Sequence, residues 1–268
     1  LDHLEIKVES NLADDIEKMV YHLDEPQADL APLNVMAISK IARGEGVKVL
    51  LSGTGGDDVF SGYRRHQAVY YERFLPLPGF ARKMLAGYFG GITIKGPVSR
   101  RLAKFSRAMG ENPPRRHYMH FNWTDIDIKR SLLSPDIRSE LKDYDDFESF
   151  ETALASIKNE KNSLNRMLFL DEKFFLPDHN LNHTDKASML YGVEVRPPLL
   201  DHRLVEYLAK VPPKMKMKRG MPKYLFKKSM GRYLDRDVIY RPKTGFAAPV
   251  RDLVNGDLRE LIGDVLSE

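Results

Sequence analysis

The sequence contains no cysteine. Disulfides, thiolate metal sites and a cysteine nucleophile are therefore excluded within these 268 residues. Long apolar runs are missing too, since no stretch approaches the roughly 20 residues that a membrane-spanning helix needs. The first residues, LDHLEIKVES, do not show the charged and then apolar segments of a secretion signal. We therefore expect a cytoplasmic protein without a membrane partner.

A strong excess of charge of one sign is also absent. Lys and Arg total 42 against 38 Asp and Glu, a formal net charge of +4. Nucleic-acid-binding domains usually carry a basic face. The short runs Arg100-Arg101, Arg115-Arg116 and 214–219 are the only support for one. Such runs usually form solvated surface, so nucleic acid is not an expected partner.

Apolar spacing near the N-terminus predicts alternating strands and helices. Alternation over 4–8 predicts a strand, and spacings of three and four from Leu12 predict a helix. A second helix is predicted over 33–43, with Gly44 as a left-handed cap. The apolar run 47–51 predicts a strand covered on both faces of a parallel sheet.

Beyond Ser61 the pattern predicts mainly helices, separated by proline and glycine. One predicted helix face, which begins at Leu164, carries Asp171 where an apolar residue is expected. Two strands alone make a poor sheet, so the missing partners lie upstream or later in the chain. Because Leu1 replaces an initiator Met, we interpret the sequence as beginning mid-chain and prefer the upstream option.

The segment 50–63, LLSGTGGDDVFSGY, follows the second predicted strand. Open α/β sheets bind ligands at the carboxyl ends of their strands. Glycines there let backbone N–H groups approach phosphate oxygens, and adjacent hydroxyls add hydrogen bonds. Asp57 and Asp58 supply oxygen ligands of the kind that Mg²⁺ prefers. The alternative interpretation is an ordinary strand-to-helix turn with Asp57 or Asp58 as its cap.

Three blocks of the sequence resemble the asparagine synthetase family. The first is LSGTGGDDVFSGYRRH, at 51–66. The second comprises LPD at 176–178, TDKASM at 184–189 and GVEVRPPLLDHRL at 192–204. The third is YRPKTGF at 240–246, which is similar to the lysine loop of the family. The blocks occur in the family order and span most of the chain.

The resemblance implies an α/β fold of the ATP-pyrophosphatase, or adenine-nucleotide alpha-hydrolase-like, type. We expect few parallel strands, a predominantly helical chain and truncation at the N-terminus. Residues 1–75 would be the remaining nucleotide-binding core, and 76–268 the helical part with the lysine loop. In the implied reaction a carboxylate, aspartate first of all, becomes an acyl-adenylate that ammonia converts to an amide. ATP and Mg²⁺ are the implied cofactors.

The resemblance also implies residue roles at the nucleotide. Asp57 would be a Mg²⁺ ligand, and Lys243 would place positive charge beside the α-phosphate. Without its motif, Lys243 would be interpreted as a solvated surface lysine. The residues implied to line the nucleotide site are Leu51, Ser52, Gly53, Gly55 and Gly56.

At the substrate, the resemblance implies that Arg196 holds a carboxylate and acts with Lys243 and Thr54 in catalysis. Asp185 and Glu194 would orient that arginine or bind a substrate ammonium. The alternative for these three charged residues is a structural ion network. A separate pair, His179 and His183 at i and i+4, has metal-ligand spacing but is interpreted as packing or surface.

Three departures from the family pattern shape the expectations. The phosphate-binding Ser-Gly-Gly-x-Asp-Ser loop is absent, so we expect the isolated chain not to release pyrophosphate from ATP. Thr54 stands where the family usually has Glu, and threonine carries no charge. With no cysteine, the glutaminase domain that frees ammonia must be a partner upstream or on another chain.

Two alternatives therefore stay open. The first is a related amide- or ring-forming ligase that activates another carboxylate, as β-lactam and lasso-peptide ring closers do. The second is a degenerate, non-catalytic domain that keeps the turn as scaffold; Thr54 favours it, and the retained Asp57 and Lys243 oppose it. The nitrogen source is undetermined, and a homodimer is the assembly considered.

Overall fold

The computed structural model describes residues 5, 12–25, 27, 29–74, 78–90, 97–122, 124, 126–242, 254–256 and 258–267. These residues are mostly helical and include one small parallel sheet, as the sequence predicts. No helix among them is long and apolar enough to cross a bilayer. Residues 4–8, where a strand is predicted, lie outside the described ranges apart from Glu5.

The chain forms two compact units. The first comprises Leu1–Gly55, Phe174–Val205 and Tyr233–Glu268, and the second comprises Gly56–Lys173 and Glu206–Arg232. The α-helices are α1 Leu12–Leu23, α2 Ala31–Gly44, α3 Gly56–Val59, α4 Arg64–Glu72, α5 Gly79–Gly90, α6 Pro97–Gly110, α7 Pro113–Phe121, α8 Ile126–Ser131, α9 Pro135–Glu140, α10 Glu148–Ser156, α11 Ser163–Leu170, α12 Asn182–Met189, α13 His202–Lys210, α14 Pro213–Lys216, α15 Tyr224–Met230, α16 Arg236–Tyr240 and α17 Arg259–Ser267. A π-helix, Asp171–Leu181, and a 3-10 helix, Pro198–Leu200, complete the helical elements.

The first unit has its core where α1, α2 and α12 pack together. The core side chains in this cluster are Met19, Leu23, Leu33, Met36 and Ala187. Lys186 extends from α12 and donates a hydrogen bond to the Leu23 carbonyl at 2.6 Å, which satisfies a free carbonyl at the end of α1. Helices α1 and α2 thus confirm the two helices predicted from apolar spacing.

The predicted cap of α2 is wrong in detail. Gly44 lies within the last turn of the helix, and the left-handed residue is Gly46, with φ +78°. At the other end α2 begins two residues before the predicted start, because Pro32 is favourable in the first turn. The Ala31 N–H donates to the Asp29 carboxylate at 2.9 Å, which satisfies one donor of that turn.

The sheet consists of β1, Val49–Leu51, and β2, Glu194–Arg196, which pair in parallel with Leu50 opposite Val195. The chain itself therefore supplies a neighbour for β1 from its later part, contrary to the preference for an upstream partner. The expectation that β1 is covered on both faces is also wrong. Val49 is 40% exposed and Leu51 is 74% exposed, so this face is open within the described residues.

The second unit is built from α-helices that pack in pairs, among them α5 with α6, α6 with α7, and α4 with α11. One of its buried clusters joins Tyr70 of α4 to Leu164 and Leu168 of α11 and to Met217. The predicted apolar face from Leu164 onward is therefore confirmed. Asp171 lies on that face and is 0% exposed, so the polar exception is a fully buried carboxylate.

Candidate functional site

A cavity of about 380 Å³ lies at the carboxyl ends of the two strands of the first unit. Parallel pairing brings these ends to one edge, where the Ser52 N–H donates to the Arg196 carbonyl at 2.9 Å. Open α/β sheets place ligands at this edge. The lining residues are Ser52, Thr54, Leu181, Asn182, Thr184, Asp185, Val195 and Pro197. Hydroxyls, an amide and one carboxylate thus face the same space.

The first half of the glycine turn, 52–55, presents its polar atoms to this cavity. The Ser52 and Thr54 hydroxyls are 3.1 Å apart, and the Thr54 N–H lies 3.4 Å from the Ser52 hydroxyl oxygen. Gly53 is exposed and a side chain there would meet open space. Gly55 has φ +85°, and a Cβ would overlap with the Leu200 side chain. Only glycine fits both demands at position 55.

The second half of the turn lies in the second unit, where Gly56 begins the short helix α3. Asp57 pairs with Lys223, and its Oδ1 lies 2.7 Å from the Lys223 Nζ. The Gly62 N–H donates to the Asp57 carbonyl at 2.7 Å. A Cβ on Gly62 would overlap with the Asp57 carboxylate, so glycine is required there by close approach.

Asp58 is oriented differently from Asp57. Its side chain is 1% exposed and accepts a hydrogen bond from the Tyr63 hydroxyl at 3.2 Å. Burial, with the charge of Asp171, raises the pKa of Asp58 to about 7, although the Tyr63 hydrogen bond and Arg65 oppose the rise. Of the two acidic residues, Asp57 is the more accessible, and Asp58 is part of the interior.

Asp171 links the N-terminal end of α4 to the buried interior of the second unit through hydrogen bonds. It accepts hydrogen bonds from Arg65 Nε at 2.8 Å and from His66 Nε2. The Tyr63 N–H lies 3.3 Å from His66 Nδ1, so we assign the imidazole proton to Nε2. The Arg65 guanidinium also lies 4.1 Å from the centre of the Tyr63 ring. The sequence marked Asp171 as unusual, but no sequence signal pointed to its partners.

Arg196 and Glu194 form a bidentate ion pair, with Arg196 Nε 2.8 Å from Glu194 Oε1. Both side chains are exposed, at 60% and 56%. They alternate with Val195, which lines the cavity, so they lie on the opposite face of β2. Asp185, in contrast, lines the cavity. The structure therefore brings Asp185 together with Ser52 and Thr54, and pairs Glu194 with Arg196 elsewhere on the sheet.

Lys243 lies outside the described residues. Its predicted position beside the same phosphate as Asp57 stays a prediction. The sequence analysis also missed Lys223, because the pattern around it, MPKYLFKK, shows only a basic helix start.

The histidine pair of the π-helix and α12 has packing contacts. The His179 ring stacks on Phe175 with centroids 4.7 Å apart and meets the His183 ring edge-on at 5.0 Å. Burial and the charge of His179 lower the pKa of His183 to about 4. These contacts agree with the packing interpretation.

Two of the basic runs contribute to the interior. Lys216 is 4% exposed and its Nζ lies 3.3 Å from the Asn165 side-chain oxygen, while Arg116 is 7% exposed and pairs with Glu72. The assumption that these runs form solvated faces is wrong for both residues. Arg116 pairs with a buried carboxylate, and the Lys216 ammonium donates to a half-buried amide oxygen.

The family model described as Asparagine synthase matches residues 1–268. The chain belongs to this family. Asparagine synthetase [glutamine-hydrolyzing] 1 of Bacillus subtilis is 26% identical over 95% of this chain and 39% of its own length. The amidase chyE of Penicillium rubens is 24% identical over 99% of this chain and 42% of its own length. No solved structure matches the chain.

The chain thus spans about two fifths of the length of these relatives.

The carboxylates of the described residues suit a Mg²⁺ ion that is held jointly with a nucleotide. Among the described residues no group of three or more His, Cys, Asp or Glu side chains is arranged to hold a metal ion. Mg²⁺ at phosphate sites needs only one or two carboxylates, with phosphate and water completing the shell. Asp57 fits that role as a single carboxylate ligand.

Proposed function

We propose that this chain is the synthetase part of an ATP-dependent carbon-nitrogen ligase. The enzyme adenylates a carboxylate, aspartate in the first instance, and forms an amide with ammonia released from glutamine. The cavity at the carboxyl ends of β1 and β2 carries this proposal, because the hydroxyls of its turn and Asp185 supply hydrogen-bonding groups where α/β sheets bind ligands. Membership of the asparagine synthase family supports the reaction class.

The proposed fold is of the ATP-pyrophosphatase type, with 1–75 as the remaining nucleotide core and 76–268 as its helical part. In the first step a substrate carboxylate oxygen attacks the α-phosphorus, and pyrophosphate leaves. In the second step ammonia attacks the acyl carbon, AMP leaves with the bonding electrons, and a proton is lost from nitrogen. Both steps concentrate negative charge on phosphate oxygens, which nearby fixed cations stabilise.

Each half of the turn has a proposed role. Ser52 and Gly53 line the nucleotide, together with Leu51, Gly55 and Gly56. Asp57 binds Mg²⁺, which neutralises phosphate charge when bound. Lys243 places its ammonium beside the α-phosphate, where charge grows in the transition state.

The substrate roles rest on Asp185 and Arg196. Asp185 lines the cavity beside Thr54, a position suited to a substrate ammonium. Arg196 is proposed to hold a substrate carboxylate, with Glu194 as its orienting partner through the bidentate pair. Because that pair lies on the open face of the sheet, the role requires the carboxylate to reach this face.

The test is carboxylate-dependent formation of AMP and pyrophosphate by the natural full-length protein. We expect both products in equal amounts with ATP, aspartate, ammonia and Mg²⁺, and their loss in Asp57→Asn. We expect the isolated 268-residue chain to give neither. Formation of ADP and phosphate, or AMP formation without any carboxylate, would contradict the proposal.

A second candidate is an amide- or ring-forming ligase that activates a different carboxylate. Thr54 favours it, because a neutral hydroxyl lines the cavity where the family usually has a carboxylate. In that case a panel of amino-acid and dipeptide carboxylates gives AMP where aspartate does not, and Thr54→Glu shifts the preference toward aspartate. Absence of AMP with every carboxylate would instead indicate a non-catalytic domain.

A further inference from the structure

Lys223 is held in a conformation that few lysines adopt. Its backbone is left-handed, with φ +55° and ψ +33°, immediately before α15. Its ammonium lies 2.7 Å from Asp57 Oδ1, and the two side chains are 25% and 23% exposed. A lysine normally extends into solvent with a right-handed or extended backbone. The cost of this conformation indicates that the surrounding contacts select it.

Those contacts fasten the acidic turn to the segment that carries Lys223. The Ser61 hydroxyl donates to the Lys216 carbonyl at 3.0 Å, in the interior. The rings of Phe60 and Phe226 lie 4.8 Å apart between centroids. At Gly62 a side chain would overlap with the Asp57 carboxylate and with the end of Lys223. The ion pair is therefore built into the fold and is not a chance surface contact.

The ammonium occupies the position that a cation on Asp57 would need. Mg²⁺ binds carboxylate oxygens at about 2.1 Å, and a lysine ammonium 2.7 Å from the same oxygen would repel it. Metal binding at Asp57 Oδ1 therefore requires Lys223 to leave. Lys227, one turn further along α15, adds a second positive charge near Lys223, since burial and the charge of Lys223 lower the pKa of Lys227. A displaced ammonium beside Lys227 needs an anion.

We propose that Lys223 has two alternating partners: the Asp57 carboxylate in the metal-free chain, and a nucleotide phosphate once a divalent cation is bound to Asp57. This inference rests on the proposed function. Lys223 keeps Asp57 oriented without metal, and it makes a second cationic contact to the triphosphate when metal arrives. Metal binding and nucleotide binding are thereby coupled through one side chain.

The experiment measures both ligands in the natural full-length protein. Mn²⁺ binding without nucleotide is followed from the EPR signal of free Mn²⁺, and binding of a non-hydrolysable ATP analogue is measured by equilibrium dialysis at saturating Mn²⁺. For Lys223→Met we expect Mn²⁺ to bind about tenfold more tightly and the nucleotide about tenfold more weakly. Changes of opposite sign are the signature, because a merely structural lysine would weaken both.

Two further variants control for charge and for backbone. Lys228→Met removes the same charge from an exposed position of α15, and we expect it to change neither affinity more than about twofold. Lys223→Asn removes the charge with a residue that tolerates the left-handed conformation, and we expect it to reproduce the Lys223→Met pattern. It keeps the test valid if Lys223→Met folds poorly.

The outcomes separate this inference from the proposed function. If Lys223→Met behaves like Lys228→Met while Asp57→Asn abolishes Mn²⁺ binding, the inference is overturned and the proposed function stands. If both Lys223 variants weaken both ligands, Lys223 is structural and the inference is overturned. If the unaltered protein binds neither Mn²⁺ nor the analogue, the proposed function and the inference fail together.

Discussion

The two halves of the glycine turn are held very differently within their own units. Within the part of the chain that the structure describes, residues 52–54 make few side-chain contacts: Ser52 and Thr54 contact each other, and Gly53 borders open space. Residues 56–63 are tied to the interior through Asp58, Ser61 and the Asp171 network. The comparison indicates that residues 52–54 can change with little loss of stability, whereas Gly55 and the half carrying Asp57 cannot.

The largest effect on stability is expected from Asp171→Ala, which would remove buried hydrogen bonds that hold the second half of the turn. It leaves Arg65 and the buried His66 without their shared acceptor. We expect the free energy of unfolding to fall by about 3 to 5 kcal/mol, measured by urea denaturation. The matched control is Asp143→Ala, whose pair with Lys142 is exposed on both sides and should matter by less than about 1 kcal/mol. Similar losses in both variants would refute the comparison.

Gly62→Ala should destabilise the same half of the turn through steric overlap. The added Cβ would overlap with Asp57 and Lys223, and the required shift should cost about 2 kcal/mol. Gly87→Ala, at an exposed position of α5 where a Cβ meets open space, serves as control. Because alanine is the better helix former, that variant should gain up to about 1 kcal/mol. A gain in both variants would show that the turn is looser than described.

The pH dependence of stability would sharpen the comparison further. Burial raises the pKa of Glu172 to about 7; Asp171 and Asp58 add to the rise, and Lys216 opposes it. Between the ordinary glutamate pKa of 4.5 and about 7, the folded chain keeps a proton on Glu172 that the unfolded chain has lost. Stability should therefore fall as pH rises through this window. Relative to Glu172→Gln, we expect a loss of about 1 to 2 kcal/mol, and a flat difference would contradict the shift.

The smallest effect on stability is expected from Thr54→Ala in the first half. Thr54 contacts only Ser52 in the hydrogen bonds described for it, and both are half-buried. We expect the free energy of unfolding to change by less than about 1 kcal/mol in thermal denaturation. The preference among carboxylate substrates should change instead. A large loss of stability would mean that the two halves of the turn are equally constrained.

Local patterns predicted the helices well and the sheet incompletely. Helices α1 and α2 follow from apolar spacing over a dozen residues, a signal that each segment carries by itself. Strand β2 was missed because Glu-Val-Arg has one apolar residue, and its extended form depends on pairing with β1. Burial of β1 was overestimated for the same reason, since an apolar run does not reveal how many neighbours cover it.

Part of the candidate site could be proposed from consecutive residues, and the roles of those residues stay predictions. The turn, Asp57 and the position of Thr54 could be chosen from the sequence, and Asp171 stood out as polar on an apolar face. The partners of Asp171 at Arg65 and His66 could not be found, because more than a hundred residues separate them along the chain. The position of the Lys223 side chain could not be predicted either. It depends on a left-handed backbone conformation, and the residue types there do not require one.

The parallel pairing of β1 with β2 also constrains the order of folding. All of 52–193 lies between the two strands, so their register requires the closure of a very long loop. We expect contacts of such sequence separation to form late, once helices have reduced the entropy of the intervening chain. During synthesis, β1 leaves the ribosome without its neighbour, and the edge that borders the cavity cannot form until Arg196 has emerged.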